Sequence, residues 1–151
     1  MISSKPPIMP LAMTGVYLVA HAIAGWELTS VSDVDALLVL MTILLVSGSF
    51  VLTLVFFVKT LTLLDVPHAP KLFLLAALAF GTQLAGYSIT MNNHVPAAGM
   101  LMIALYVAIG QLTGKHAPAA WRFAVFGFSG ALVPALDMPA GIYVAAAASY
   151  R

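Results

Sequence analysis

Charge is the scarcest commodity in this chain. Six Lys and Arg and five Asp and Glu make up 7% of its 151 residues, against about 25% in soluble globular domains. A soluble domain with a solvated surface is therefore not expected anywhere along it. Cysteine is absent, which excludes disulfides, thiolate nucleophiles, iron–sulfur clusters and cysteine-based zinc sites, and leaves the redox compartment unread. The net charge is only +1 and the basic residues are scattered singly, so nothing assembles the positive stripe that binds phosphate backbones; nucleic acid is not an expected partner. No Ser–His–Asp arrangement, paired carboxylates or glycine-rich phosphate loop is evident. Gly127-Phe128-Ser129-Gly130 lies inside an apolar stretch, without the strand–turn–helix context of a nucleophile elbow. No catalytic activity of the chain's own is expected.

What is present is apolar: 62% hydrophobic residues and a mean hydropathy of +1.06. These residues fall into about five runs, each comparable to the roughly 20 helical residues that cross a hydrocarbon core about 30 Å thick. The expected fold is an all-α membrane protein, a single transmembrane domain over 1–151 built as a bundle of about five helices. The expected spans are about 8–26, 36–64, 72–91, 97–113 and 119–136, with a short helical tail at 141–149. Lys5, the apolar run from Ile8 and Ala22-Ile23-Ala24 before Gly25 have the outline of a secretory signal, but the segment reads here as the first span, with Trp26 at its interfacial end. Glu27, Asp33 and Asp35 mark a polar connection. The second run exceeds one crossing, so it tilts or projects, with Lys59 able to snorkel. Pro67 and Pro70 mark a loop, and Pro134 and Pro139 interrupt the end of the fifth run.

Orientation follows from the Lys and Arg bias. An N-terminus on the cytoplasmic side places Lys5, Lys59, Lys71, Lys115 and Arg122 inside and Arg151 alone outside. It places Glu27, Asp33, Asp35 and Asp137 toward the outer face, where the C-terminus also lies. A bacterial inner membrane is the expected location. His68-Ala69-Pro70, His94-Val95-Pro96 and His116-Ala117-Pro118 form a faint echo, which the suitability of proline for the first turn of a helix explains without a duplication.

Polar residues within the runs align at helical spacing: Thr14, Tyr17 and His21; Thr42, Ser49, Thr53 and Thr60; Gln83, Tyr87, Thr90 and His94; Gly99, Tyr106 and Gly110; Gly127, Gly130 and Pro134. Small and hydroxyl residues are also what close helix packing uses. The third stripe carries more polarity than packing needs, and Gln83, Tyr87 and Thr90, with Asp137 in the proline-flanked break, make a candidate transport pathway. Asp137 reads equally as a turn residue in solvent where the fifth span ends near Leu136. His21 and His94 share the outer half and are the candidate axial ligands for a haem b, or contacts for a quinone. The same half holds Glu27, Met91 and Met138, but no spacing there specifies a metal site.

Three roles are compatible with this equipment: a non-catalytic subunit of a larger membrane complex, a small oligomeric transporter or channel, and a haem- or quinone-binding anchor of an electron-transfer complex. The expected partners are the lipid bilayer and other membrane subunits or further copies of the chain.

Overall fold

A computed structural model describes residues 7–149, and every regular element among them is helical. Lys5 and Arg151, two of the charges used for orientation, lie outside the described residues. Helix α1 spans Ile8–Ala24 and stops at Gly25, whose left-handed φ of 68° lets its N–H return to the His21 carbonyl.

Helix α2 runs without a break over Val31–Leu63, 33 residues, about 50 Å at 1.5 Å per residue. It begins five residues before the expected span because Ser30 caps it, accepting the Asp33 N–H. Asp33 and Asp35 are therefore not loop residues but part of the first turns, where carboxylates complement the helix dipole. Midway, Thr42–Ser47 widens into a π turn, and the Gly48 N–H reaches back five residues to the Ile43 carbonyl. This turn re-aims the helix. Leu37 and Met41 are buried four apart above it, and Val46 follows five residues later. The inserted residue thus keeps both halves packed, on different neighbours. The far end closes as a Schellman turn, with Val66 N–H on the Leu61 carbonyl and Asp65 N–H on that of Thr62. Asp65 occupies the left-handed position, φ 54°, usually taken by glycine.

The expected span 72–91 is not one helix. Helix α3, His68–Phe80, ends at Gly81, and the short α4, Gln83–Tyr87, starts afresh with Thr82 as its cap, the side chain accepting the Leu84 N–H. A side chain at Gly81 would meet the Ala77 carbonyl oxygen at 2.7 Å. Helix α5 spans His94–Leu112, three residues earlier than expected. Pro96 fits in its first turn because N–H groups there have no intrahelical partner. Helix α6 spans Ala120–Leu136, a 3-10 turn covers Met138–Ala140, and α7 covers Gly141–Ser149. Helices α2 and α5 are long and apolar enough to cross a membrane, while α1, α3 and α6 are shorter apolar helices.

Contacts order these helices in two tiers along α2. Met9 of α1 and Val95 of α5 meet Val46 in one buried cluster. Above it, α1 climbs antiparallel to the first half of α2, bringing Ala20 against Leu37 and Met41. Below it, α5 descends parallel to α2: Gly99 lies against Ser49, and Tyr106 against Phe56. Helix α6 returns antiparallel to α5, burying Ser129, Gly130 and Val133. The segment 68–91 climbs back along α2 on another side, from Leu72 beside Val58 to Ile89 beside Leu38. Ser47, in the π turn, donates to the Ser88 carbonyl at 2.8 Å and pins this segment.

The α2–α5 seam is made of small and hydroxyl residues. Ser49, Thr53 and Thr60 are buried, and each donates to its own helix four residues back, at 2.7, 2.8 and 2.8 Å. Their polarity is thus satisfied internally and the seam behaves as apolar. Thr42, expected on the same stripe, is only half-buried because the π turn rotates it away. At Gly99 a β-carbon would sit 3.1 Å from the Ser49 carbonyl oxygen, whereas Gly127 has nothing within 4 Å. Gly99→Leu is expected to lower stability by about 1–3 kcal/mol through overpacking, and Gly127→Ala to raise it by up to about 1 kcal/mol through helix propensity. Thermal unfolding of the two variants in detergent checks both signs.

Candidate functional site

Polar contacts between helices gather at two joints. The upper joint lies where α5 begins and α6 ends. Asn92 builds its base: the side-chain amide donates to the carbonyls of Tyr87 (2.6 Å) and Thr90 (2.7 Å), and its oxygen accepts the Val95 N–H (3.0 Å), capping α5. Asn93 donates across to the Leu136 carbonyl at 2.6 Å, satisfying an otherwise unpaired group at the end of α6. Beside it, His94 Nδ1 and Asp137 Oδ2 are 2.9 Å apart. The Asp137 side chain is 16% exposed and that of His94 56%. The carboxylate also lies next to the first turn of α5, where the helix dipole favours negative charge. Pairing through Nδ1 orients the imidazole and leaves Nε2 without a hydrogen-bond partner among the described residues. The Tyr87 ring stands 6.2 Å from that of His94.

Asp137 therefore does occupy a turn at the end of α6, but not as a solvated residue. It follows the last helical residue in extended backbone and folds inward onto α5. Sequence reasoning put His94 and Asp137 in the same half without pairing them. The signal that joins them is topological: a residue opening α5 and one closing the antiparallel α6 must share an end.

The other expected site residues are dispersed. Gln83 and Tyr87 lie on α4 and Thr90 in the loop beyond it, so the single-helix stripe from Gln83 to His94 does not form. All three are exposed, and Thr90 is bonded only locally, to the Tyr87 carbonyl. His21 is on the last turn of α1, its Nδ1 2.9 Å from the Trp26 carbonyl oxygen and its ring stacked on Tyr17 at 5.7 Å. Among the described residues neither a hydrogen bond nor a ring contact joins His21 to His94. Nor do three His, Asp or Glu side chains converge there as a metal site would require. Met91 packs against both buried clusters, while Met138 is exposed.

The lower joint ties the ends of α2 and α5. Lys115, in the loop after α5, donates to the Leu63 carbonyl at 2.7 Å and pairs with the Asp65 carboxylate, placing a cation on the negative end of α2. His116 folds back so that its N–H meets the Gly110 carbonyl (2.8 Å) and its ring lies edge-on to Tyr106, 5.0 Å away. Only glycine fits beneath it, since a β-carbon at 110 would come within 2.0 Å of the ring. The third member of the His-x-Pro echo thus seats a ring on α5, whereas His68 and His94 open helices.

In comparisons with known proteins, no family model, curated protein or solved structure matches this chain.

A double-mutant cycle tests the upper joint. The single variants His94→Ala and Asp137→Ala and the double variant are expected to show a favourable coupling of about 1 kcal/mol in unfolding free energy, the scale of one hydrogen bond. Additivity within error means the pair does not hold α5 to α6.

Proposed function

We propose that this chain is a small integral protein of the bacterial inner membrane that serves as a non-catalytic subunit of a larger membrane complex. The N-terminal side is cytoplasmic, and five apolar segments alternate in direction. The directions of the helices support that alternation: α2 and α5 run parallel, so the segment between them must return, while α1 and α6 are antiparallel to their neighbours. The excess of Lys and Arg on the face that would be cytoplasmic supports the orientation.

The observation that carries the subunit reading is a mismatch of length. Helix α2 is about 50 Å long, and a hydrocarbon core is about 30 Å. A bilayer placed on the lower tier covers α5 and α6 but leaves the α1–α2 hairpin projecting, with Leu18, Val19, Ile23, Val39 and Ile43 uncovered. Centred instead on 36–58, the uncharged stretch between Asp35 and Lys59, it brings the His94–Asp137 joint to mid-depth. Polar groups and helix ends are tolerated there only when protein or a wet cavity surrounds them. Either placement leaves surface that another protein chain would cover.

Gentle extraction from the source membrane followed by native mass spectrometry tests this. The expected result is a stoichiometric complex containing other protein chains. A stable species made of this chain alone would overturn the subunit reading.

One observation favours a second reading, a small oligomeric transporter or channel: the half-buried Asp137 carboxylate orients an imidazole whose second nitrogen has no hydrogen-bond partner among the described residues. The pathway would run through this pair, and Gln83, Tyr87 and Thr90 would line it only where a neighbouring chain covers them. Proton flux in liposomes is expected to fall in Asp137→Asn and His94→Ala if this reading holds. Unchanged flux in both variants removes the pair from it.

A further inference from the structure

Between the lower half of α2 and α3 lies an open groove of about 820 Å³, within the range of small-molecule sites. Val55 and Val58 form one wall and Leu72, Leu75 and Phe80 the other, and the one charged residue lining it is Lys59. Lys59 belongs to the last turns of α2 and lies near the lower joint. Its stem borders the groove, and its ammonium rests against Phe56 at 5.0 Å and more loosely against Tyr106 at 6.0 Å. The neighbouring cations are engaged: Lys71 donates to the Thr62 hydroxyl at 3.0 Å, and Lys115 holds Asp65 and the Leu63 carbonyl. Among the described residues Lys59 has neither a carboxylate nor a hydrogen-bond partner, and Asp65, the acid of the lower joint, is taken by Lys115.

An apolar trough ending at one unpaired cation, on the face where the chain's basic residues collect, is complementary to an amphiphile with an anionic head. We propose that this groove binds an anionic phospholipid, with an acyl chain laid between α2 and α3 and the phosphate on Lys59. The aromatic rings hold the ammonium near the helix end and supply none of the hydrogen-bond acceptors it lacks, so a phosphate oxygen adds to the cation–π contact rather than competing with it. A basic pocket between helices at the cytoplasmic side is a recurring arrangement for anionic headgroups. The inference rests on the membrane reading above.

The purified full chain, with whatever chains accompany it, is titrated in detergent with phosphatidylglycerol and with phosphatidylcholine of the same acyl composition, and bound lipid is read by native mass spectrometry. The expected preference for phosphatidylglycerol is about fivefold, the effect of one basic residue at an anionic headgroup. Lys59→Gln removes the preference, Leu75→Trp, which fills the groove, lowers retention of both lipids, and Lys71→Gln leaves the preference intact. Persistence of the preference in Lys59→Gln overturns the proposal. So does an equal loss in Lys71→Gln, which would indicate diffuse attraction by the basic face. Alkaline extraction of the source membranes separates the two ideas. A chain released into the wash defeats the membrane reading and the proposal with it, whereas a chain retained in the pellet without lipid preference defeats the proposal alone.

Discussion

The structure depends on how closely α5 can lie against α2. At Gly99 the backbone of α5 comes so near the Ser49 carbonyl that a methyl group would already be tight. Below it Thr53 and Thr60 present hydroxyls turned back onto their own helix. Approach at this distance multiplies dispersion contacts along the seam without leaving an unpaired polar atom. With α5 fixed there, α6 packs on its other side, the upper joint forms where those two helices meet, and Lys115 reaches the end of α2. If the two backbones were held apart by side chains, the lower joint would open, because it is the contact between the end of α2 and the loop that follows α5.

The joints are made at helix ends for an electrostatic reason. Unpaired N–H groups and carbonyls concentrate there, and so does the residual charge of the helix dipole. Asp137 beside the start of α5 and Lys115 on the end of α2 each oppose that charge with a side chain of opposite sign. Asn93 on the Leu136 carbonyl does the same work with a neutral amide. Little of the chain's scarce polarity is spent along the seam. Much of the rest closes helix ends or is bonded within its own helix.

The helical class was readable from composition and run length, and α1 and α6 were read close to their true bounds because Gly25 and the Leu136–Asp137 boundary punctuate them. The early start of α2 was misread because Asp33 and Asp35 look like a loop, although Ser30 three residues before Asp33 is a capping signal. The break in 72–91 was missed because glycine and threonine occur often inside apolar helices, and only the local geometry makes Gly81-Thr82 an end and a new cap. The π turn had no sequence signature beyond the five-residue step from Met41 to Val46. Of the candidate site, the members His94 and Asp137 were legible as unusual polar residues, but their contact spans 43 positions and depends on the direction of two helices. Gln83, Tyr87 and Thr90 were grouped by a periodicity that holds only if the helix is continuous.

The parallel pairing of α2 with α5 also sets a timetable for assembly. Two adjacent antiparallel helices can pack as soon as the second emerges, and α1 with the upper half of α2 is such a pair. On the lower half of α2, α3 returns along one side, but the packing stripe from Ser49 to Thr60 has no such early partner, since it fits a helix ending at Leu112. About fifty further residues must be synthesised before that surface is covered. During this interval a nascent chain carries a finished upper hairpin and an uncovered lower stripe. The hydroxyls on that stripe, each bonded within its own helix, need no partner while it waits.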